Sequence, residues 1–318
     1  MGWRSKNVLI AIAVVAILAI VLVRVHGKET TNVATNPSSA GVSNALVAVA
    51  NKSLVVDTDN DGLPDWEEVL RKTDPNKSDS DGDGILDGKE VFEDSTIDSR
   101  VEKMASELDE EGLTPTQRFG RELLTQYLAT KKEGGKFDAE STAKFVDKMT
   151  GEVNQEVTVT LFTAYDVQTI SDNNLIALKE YANRMGRILI RNSPPGLENE
   201  IVVATRALQN KDPEELQKIK PLIESLANSA TEGRSVPVPS DLVQLHLDLL
   251  NSFVYMKTTL SGLLLIFDDP LTAVVRIAQH KESVKKFRAA FINMQLFYQK
   301  ANIQFGPKEE GAVFLHFE

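Results

Sequence analysis

The sequence predicts a mainly α-helical protein with an N-terminal transmembrane helix, a tether, a short acidic loop segment and a C-terminal helical bundle. An uninterrupted apolar run lies near the N terminus, and the excess negative charge is confined to residues 57–98. Apolar residues recur at helical spacing through most of the remaining chain. We place the four parts at residues 1–26, 27–53, 54–98 and 99–318.

The composition excludes several kinds of site. None of the 318 residues is cysteine, which removes disulfides, thiolate metal sites and cysteine nucleophiles. Residues 57–98 hold 15 acidic and 4 basic residues, whereas the remaining residues hold 31 of each, so this segment carries the whole net charge of −11. Because the segment repels phosphate groups and no basic stripe stands out elsewhere, we expect no nucleic-acid partner.

The apolar run covers residues 8–23 (VLIAIAVVAILAIVLV) and has basic residues on both sides. As a helix it would be about 24 Å long, against a hydrocarbon core of about 30 Å. A cleaved signal peptide is the alternative, but Val-Arg-Val-His-Gly follows without small residues at a cleavage site. We therefore expect an uncleaved membrane anchor, and then a flexible tether rich in Thr, Ser, Asn and Ala.

Two acidic loops follow the tether and repeat one pattern. The first loop (residues 57–68, DTDNDGLPDWEE) and the second loop (residues 79–90, DSDGDGILDGKE) agree at positions 1, 3, 5, 6, 9 and 12. A solvated acidic turn could give one such loop by chance, but six matched positions make that explanation weak for two. The predicted metal ligands are Asp57, Asp59, Asp61, Leu63, Asp65, Glu68, Asp79, Asp81, Asp83, Ile85, Asp87 and Glu90.

This spacing favours calcium as the ion. Ca²⁺ takes about six to eight oxygens, and carboxylates at positions 1, 3 and 5 converge if glycine at position 6 lets the backbone curl. Position 7 would supply a backbone carbonyl, position 9 would act directly or through water, and position 12 would supply a carboxylate. Mg²⁺ prefers a smaller octahedron, and Zn²⁺ would require His or Cys, which the segment lacks. We expect two Ca²⁺ ions.

The stretch from DTDNDGLPDWEE to ILDGKEV resembles the bacterial form of the thrombospondin type 3 calcium-binding repeat. The match is best over TDPNKSDSDGDGILDGKE, and the loops are also similar to EF-hand and dockerin loops. An EF-hand pair departs from this sequence, because LVV before Asp57 is too short for an incoming helix. The resemblance implies a compact, calcium-wrapped segment with little hydrophobic core. Pro64 and Trp66 restrict the first loop and would lower its affinity.

Calcium chemistry also informs the location. Extracellular calcium modules work at about 10⁻⁴–10⁻³ M, concentrations that the cytosol does not reach. We therefore expect the chain from residue 27 onward to lie outside the cytoplasm as part of a single-pass membrane protein.

The C-terminal part shows helix signals throughout. Proline and aspartate mark several helix starts, and the last two predicted helices should form an antiparallel hairpin within a bundle. A charge-free run at 258–267 is too short to span a membrane. We predict helices at 115–130, 138–150, 173–191, 197–209, 213–229, 241–267 and 270–303, and strand composition at 157–163 that could equally begin a helix.

No catalytic motif is found in this helical part. Asp268 and Asp269 precede Pro270 and are explained as a helix cap, and His246 lies in an apolar stretch typical of a buried core residue. We therefore expect a membrane-anchored extracytoplasmic protein in which Ca²⁺ structures a segment that presents a helical interaction domain to an envelope or surface protein. The alternatives are an envelope enzyme with structural calcium and a calcium sensor that switches partner binding.

Overall fold

The computed structural model describes residues 57–65, 67–68, 73–93, 112–132, 144–145, 148, 151–152 and 159–316. These residues are mainly helical, as the sequence predicts. They contain no helix that is both long and apolar enough to cross a membrane. The predicted anchor and tether, and most of the predicted helix at 138–150, lie outside the described residues.

The described elements are α-helices joined by short 3-10 turns, with one pair of two-residue strands. Strands β1 (Thr169–Ile170) and β2 (Val238–Pro239) run parallel, with Thr169 opposite Val238. The α-helices are α1 (Asp87–Glu93), α2 (Pro115–Lys132), α3 (Leu175–Asn192), α4 (Glu200–Asn210), α5 (Lys220–Arg234), α6 (Val243–Leu263) and α7 (Pro270–Lys300). The 3-10 helices are Ala164–Asp166, Pro213–Ile219, Ser240–Leu242 and Glu310–Phe314.

The chain divides into two compact units. Unit 1 comprises Met1–Val157 and Asp268–Val275, and unit 2 comprises Thr158–Phe267 and Arg276–Glu318. The boundaries that the sequence suggests for the four parts stay predictions.

Unit 2 is built around one apolar core. Its most deeply buried side chains include Ala182, Leu249 and Met294, all with no exposed surface, from α3, α6 and α7. Asn174 caps α3 by accepting a hydrogen bond from the Ala177 amide. The large buried aromatic and aliphatic side chains make burial of apolar surface the main force that holds this unit together.

Helices α6 and α7 form the predicted antiparallel pair. Phe253 stacks at a tilt on Phe287 with ring centroids 5.8 Å apart, and Thr259 lies 3.1 Å from His280. Residues further along α6 thus contact residues earlier along α7, as two antiparallel helices require. Phe291, Met294 and Tyr298 of α7 are buried. The helix predicted at 270–303 ends at Lys300, and Ala301 beyond it is exposed.

Two local predictions require correction. The described residues of the segment 157–163, which are 159–163, form neither strand nor helix. The Asn251 side chain replaces a strand partner there: its Oδ1 accepts from the Phe162 amide at 2.8 Å and its Nδ2 donates to the Phe162 carbonyl at 3.0 Å. The helix predicted at 213–229 begins instead as a 3-10 helix, capped by Asp212, and continues to Arg234 as α5.

Asp269 lies at the starts of α2 and α7, which agrees with the capping interpretation for Asp269. Its Oδ1 accepts from the amide and the hydroxyl of Thr116 at 3.1 and 2.5 Å, at the start of α2. The Thr116 hydroxyl in turn accepts from the Leu271 amide at 2.9 Å, at the start of α7. Asp269 and Thr116 are both buried, so this carboxylate is held in place between the two helix starts.

Candidate metal centre

Each acidic loop brings together the carboxylates of its positions 1, 3 and 5. Within each set, one oxygen per residue lies within 4.8 Å of the others. The sets are Asp57, Asp59 and Asp61 in the first loop and Asp79, Asp81 and Asp83 in the second loop. Clustered carboxylate oxygens are the donor set that hard dications prefer.

Left-handed backbone at two positions produces the curl of each loop. Position 6, predicted to require glycine, has φ of 100° at Gly62 and 93° at Gly84. Position 4 also has a positive φ, 61° at Asn60 and 79° at Gly82. The sequence comparison missed position 4 because its residues differ, although asparagine and glycine are the two residues that best tolerate this conformation.

Backbone amides in each loop donate hydrogen bonds to one oxygen of each aspartate at positions 1 and 5. The Gly62 amide donates to Asp57 Oδ2 at 3.0 Å, and the Leu63 amide donates to Asp61 Oδ1 at 2.7 Å. The equivalent bonds of the second loop are both 2.8 Å long. The two loops therefore share one hydrogen-bond pattern as well as one sequence pattern.

Several carboxylate oxygens of the first loop are buried and have no hydrogen-bond partner: Asp57 Oδ1, Asp59 Oδ2 and Glu68 Oε2. A buried charge without a counter-charge costs several kcal/mol. Removing one partner of a buried ion pair has a cost of about the same size. A cation bound among these oxygens supplies that compensation. The residues thus fit a calcium ion.

The glutamates at position 12 of both loops have raised pKa values. Burial, followed by the charges of Asp59 and Asp61, raises the pKa of Glu68 to about 7. Burial and then the charges of Asp81 and Asp83 raise the pKa of Glu90. The charges of the aspartates thus act on the glutamate of the same loop in both repeats.

Position 7 differs between the loops. Leu63 has 2% of its surface exposed, whereas Ile85 has 47% exposed. The apolar side chain at position 7 is therefore buried in the first loop alone. The predicted role of the two backbone carbonyls as ligands stays a prediction.

The position-9 aspartates also differ. Both oxygens of Asp65 accept hydrogen bonds from Thr58, from its amide and its hydroxyl, each at 2.7 Å. Asp87 Oδ1 accepts from the Ser80 amide at 2.9 Å, but its Oδ2 is buried without a partner. One oxygen of Asp87 lies within 4.8 Å of Asp61 and Glu68, so this second-loop residue is grouped with the first loop.

In unit 2, His246 is the buried core residue that the sequence predicts. It has no exposed surface, its Nδ1 lies 2.8 Å from the Tyr181 hydroxyl, and burial lowers its pKa to about 4.

His280 lies between two polar partners that the sequence scan did not connect. Its Nε2 is 3.1 Å from Glu200 Oε1, and its Nδ1 is 3.1 Å from Thr259 Oγ1. Glu200 is 80 residues away along the chain, so no local pattern could have found this contact. Within the described part of the chain, the only groups of three acidic or histidine ligands are the three in and between the two loops.

The family model for the bacterial TSP3 repeat matches residues 57–78 and 79–93, and no other family matches the rest of the chain. The matched residues are those that carry the two loops and helix α1. No curated protein and no solved structure matches the chain. Residues 57–93 are therefore a pair of bacterial TSP3 repeats, a kind of repeat that binds calcium.

Proposed function

We propose that this is a membrane-anchored, extracytoplasmic calcium-binding protein in which two Ca²⁺ ions structure the repeat segment, and that this segment presents the helical part to an envelope or surface protein. The observation that carries the proposal is the set of buried, unpaired carboxylate oxygens in the first loop. Asp57, Asp59, Asp61, Leu63 and Glu68 would hold the first ion. The equivalent residues of the second loop would hold the second ion.

The ion acts here as a cross-link between chain segments. It neutralises the repulsion among the carboxylates and holds a loop that has little apolar core of its own. Leu63, buried below the first loop, is the exception. Ion binding is therefore coupled to ordering of the repeat segment.

Two further observations support the anchoring and partner parts of the proposal. The apolar run at 8–23 has the composition of a membrane anchor, and weak calcium sites fill outside the cytosol. Large apolar side chains are exposed on unit 2, among them Ile176 at 69% and Val202 at 53%, as a protein-binding surface requires.

A titration tests the calcium part. The chain has two tryptophans, Trp3 and Trp66, so that Trp3→Phe leaves Trp66 in the first loop as the only reporter. Ca²⁺ should give a saturable change in Trp66 fluorescence that Mg²⁺ at equal concentration does not give. No response, with calorimetry also silent for the second loop, would reduce the segment to an acidic spacer.

The affinity from this titration separates a structural role of calcium from a sensor role. A dissociation constant of about 10⁻⁴–10⁻³ M with local ordering supports the structural role, whereas about 10⁻⁷–10⁻⁵ M with a large change of shape supports a sensor.

Membrane attachment is tested by washing membranes with high salt, which should leave the intact protein in the pellet. Release by salt alone would contradict the anchor.

A further inference from the structure

Asp87 of the second repeat lies beside carboxylates of the first repeat. This residue occupies position 9 of the second loop, yet one of its oxygens lies within 4.8 Å of oxygens of Asp61 and Glu68 from the first loop. Asp61, Glu68 and Asp87 are 8%, 0% and 1% exposed. Glu68 Oε2 and Asp87 Oδ2 are buried without a hydrogen-bond partner. A cation among these three buried carboxylates would offset their mutual repulsion.

A difference at position 2 explains why Asp87 is available and Asp65 is not. In the first loop, the Thr58 hydroxyl donates to Asp65 Oδ2 and so occupies that oxygen. In the second loop, the equivalent Ser80 hydroxyl accepts from the Asp74 amide at 2.7 Å. Asp87 keeps only the bond from the Ser80 amide to its Oδ1, and its second oxygen stays unpaired.

Gly88 holds α1 against the first loop. Its amide donates to Asp61 Oδ2 at 2.9 Å. A Cβ at this position would lie 2.4 Å from the Asp61 carbonyl oxygen, a distance that only a shift of the backbone could relieve. The first loop has Trp66 at the equivalent position.

We propose that Asp87 is a ligand of the first ion, so that the second repeat completes the first calcium site and ion binding at the two loops is coupled. The inference deepens the proposed calcium-binding function and depends on it. Filling of the second loop orders the chain around Gly84, Ile85 and the start of α1, and this places Asp87 and Gly88 against Asp61. By linkage, an ion in the first loop strengthens binding at the second loop by the same factor.

The test uses the full chain in detergent with Trp3→Phe, so that Trp66 reports the first loop, and adds either Asp87→Asn or the matched control Asp65→Asn. Asp87→Asn should weaken Ca²⁺ binding at the first loop by about tenfold or more, whereas Asp65→Asn should change it by less than about threefold. Equal effects of the two substitutions on the first loop would overturn the proposal.

Terbium provides a readout that a merely structural role of Asp87 would not change. Excitation of Trp66 sensitises Tb³⁺ in the first loop, and luminescence lifetimes in H₂O and D₂O count the waters on that ion. Asp87→Ala, which removes both side-chain oxygens, should add about one water, because a lost protein ligand is replaced by solvent. An unchanged water count would overturn the proposal.

Two further variants test the coupling. Gly88→Ala should weaken the first site although every carboxylate is kept. Asp83→Asn, which removes a second-loop ligand, should also weaken the Trp66-reported site. Wild-type affinity at the first loop in both variants would overturn the coupling.

Two controls complete the experiment. Calorimetry of Asp87→Asn should still detect one ion at the second loop, and loss of both ions would contradict the assignment of Asp87 to the first. If the parent chain binds neither Ca²⁺ nor Tb³⁺, the proposed function itself fails, which is a different result from binding that is insensitive to Asp87.

Discussion

The two acidic loops share a ligand pattern, a left-handed backbone and a hydrogen-bond network, but they differ in their surroundings. In the first loop, Asp61 and Glu68 are 8% and 0% exposed and Leu63 is buried. In the second loop, Asp81 and Asp83 are exposed and Ile85 is 47% exposed. The comparison teaches that the local pattern sets the geometry of a loop, while the packing of neighbouring residues sets its electrostatics. The first site should therefore be the more sensitive to its environment.

The largest expected effect comes from removing the second site. Asp83→Asn together with Glu90→Gln takes away two charged ligands and should lower Ca²⁺ affinity at the second loop by about a hundredfold or more. Calorimetry would show the loss of one ion, while the far-UV circular dichroism and melting of the helical part should remain. Asp248→Asn with Glu224→Gln, two exposed acids elsewhere, removes the same charge and should leave both ions bound. Collapse of the helical signal would show that the segment and the helical part form one cooperative unit.

A fall in pH should lower the Ca²⁺ affinity of the two loops to different extents. The pKa of Glu68 is raised to about 7, so Ca²⁺ must displace a proton from this carboxyl below that pH. Affinity at the first loop should then fall by nearly tenfold per pH unit, approaching a hundredfold between pH 7 and pH 5. The ion-free segment behaves in the opposite way. Because the folded pKa of Glu68 exceeds the ordinary value of 4.5, the contribution of Glu68 to stability is fully present below pH 4.5 and is lost as the pH rises through about 7.

The measurement for this prediction is a Ca²⁺ titration of Trp66 fluorescence at several pH values, with calorimetry for the second loop. Glu68→Gln should flatten the pH dependence of the first site while lowering its affinity. A pH dependence unaffected by this substitution would assign the titration to another group.

The buried apolar residue at position 7 should matter in one loop only. Leu63→Ala should destabilise the calcium-bound segment by about 2 kcal/mol, because it leaves a cavity where the Leu63 side chain is buried. Ile85→Ala should change stability by less than about 0.5 kcal/mol, because this side chain is half exposed. Urea unfolding of the Trp3→Phe chain, followed at Trp66 in saturating Ca²⁺, provides the comparison. Similar losses for both substitutions would contradict the difference in burial.

The smallest effect should be equal in both loops. Gly62 and Gly84 have φ of 100° and 93°, and an added Cβ at either would have nothing within 4 Å. Alanine at each position should therefore cost about 1–2 kcal/mol through backbone conformation alone, seen as a similar drop in affinity at each site. A much larger loss at one glycine would reveal a contact that the ion-bound loop makes there.

Much of the site could be predicted from the sequence because its determinants are local. Aspartates at alternate positions and a glycine at position 6 specify the curl within a dozen residues, and the structure has both. The helix starts at Pro115 and Pro270 were likewise visible from proline, which favours the first turn. The sequence left 157–163 open between strand and helix, and its described residues 159–163 form neither. Asn251, 89 residues from Phe162, bonds to the Phe162 backbone there.

By itself, the sequence determined where the carboxylates lie along the chain, the repeat family of residues 57–93 and the mainly helical class, since each depends on residue type and short-range spacing. Only the tertiary structure decided that Asp87 joins Asp61 and Glu68, that His280 meets Glu200, and that Asp269 holds two helix starts. These contacts join residues far apart in the sequence. Burial, which only the folded chain creates, then turns the same acidic pattern into two electrostatically different loops.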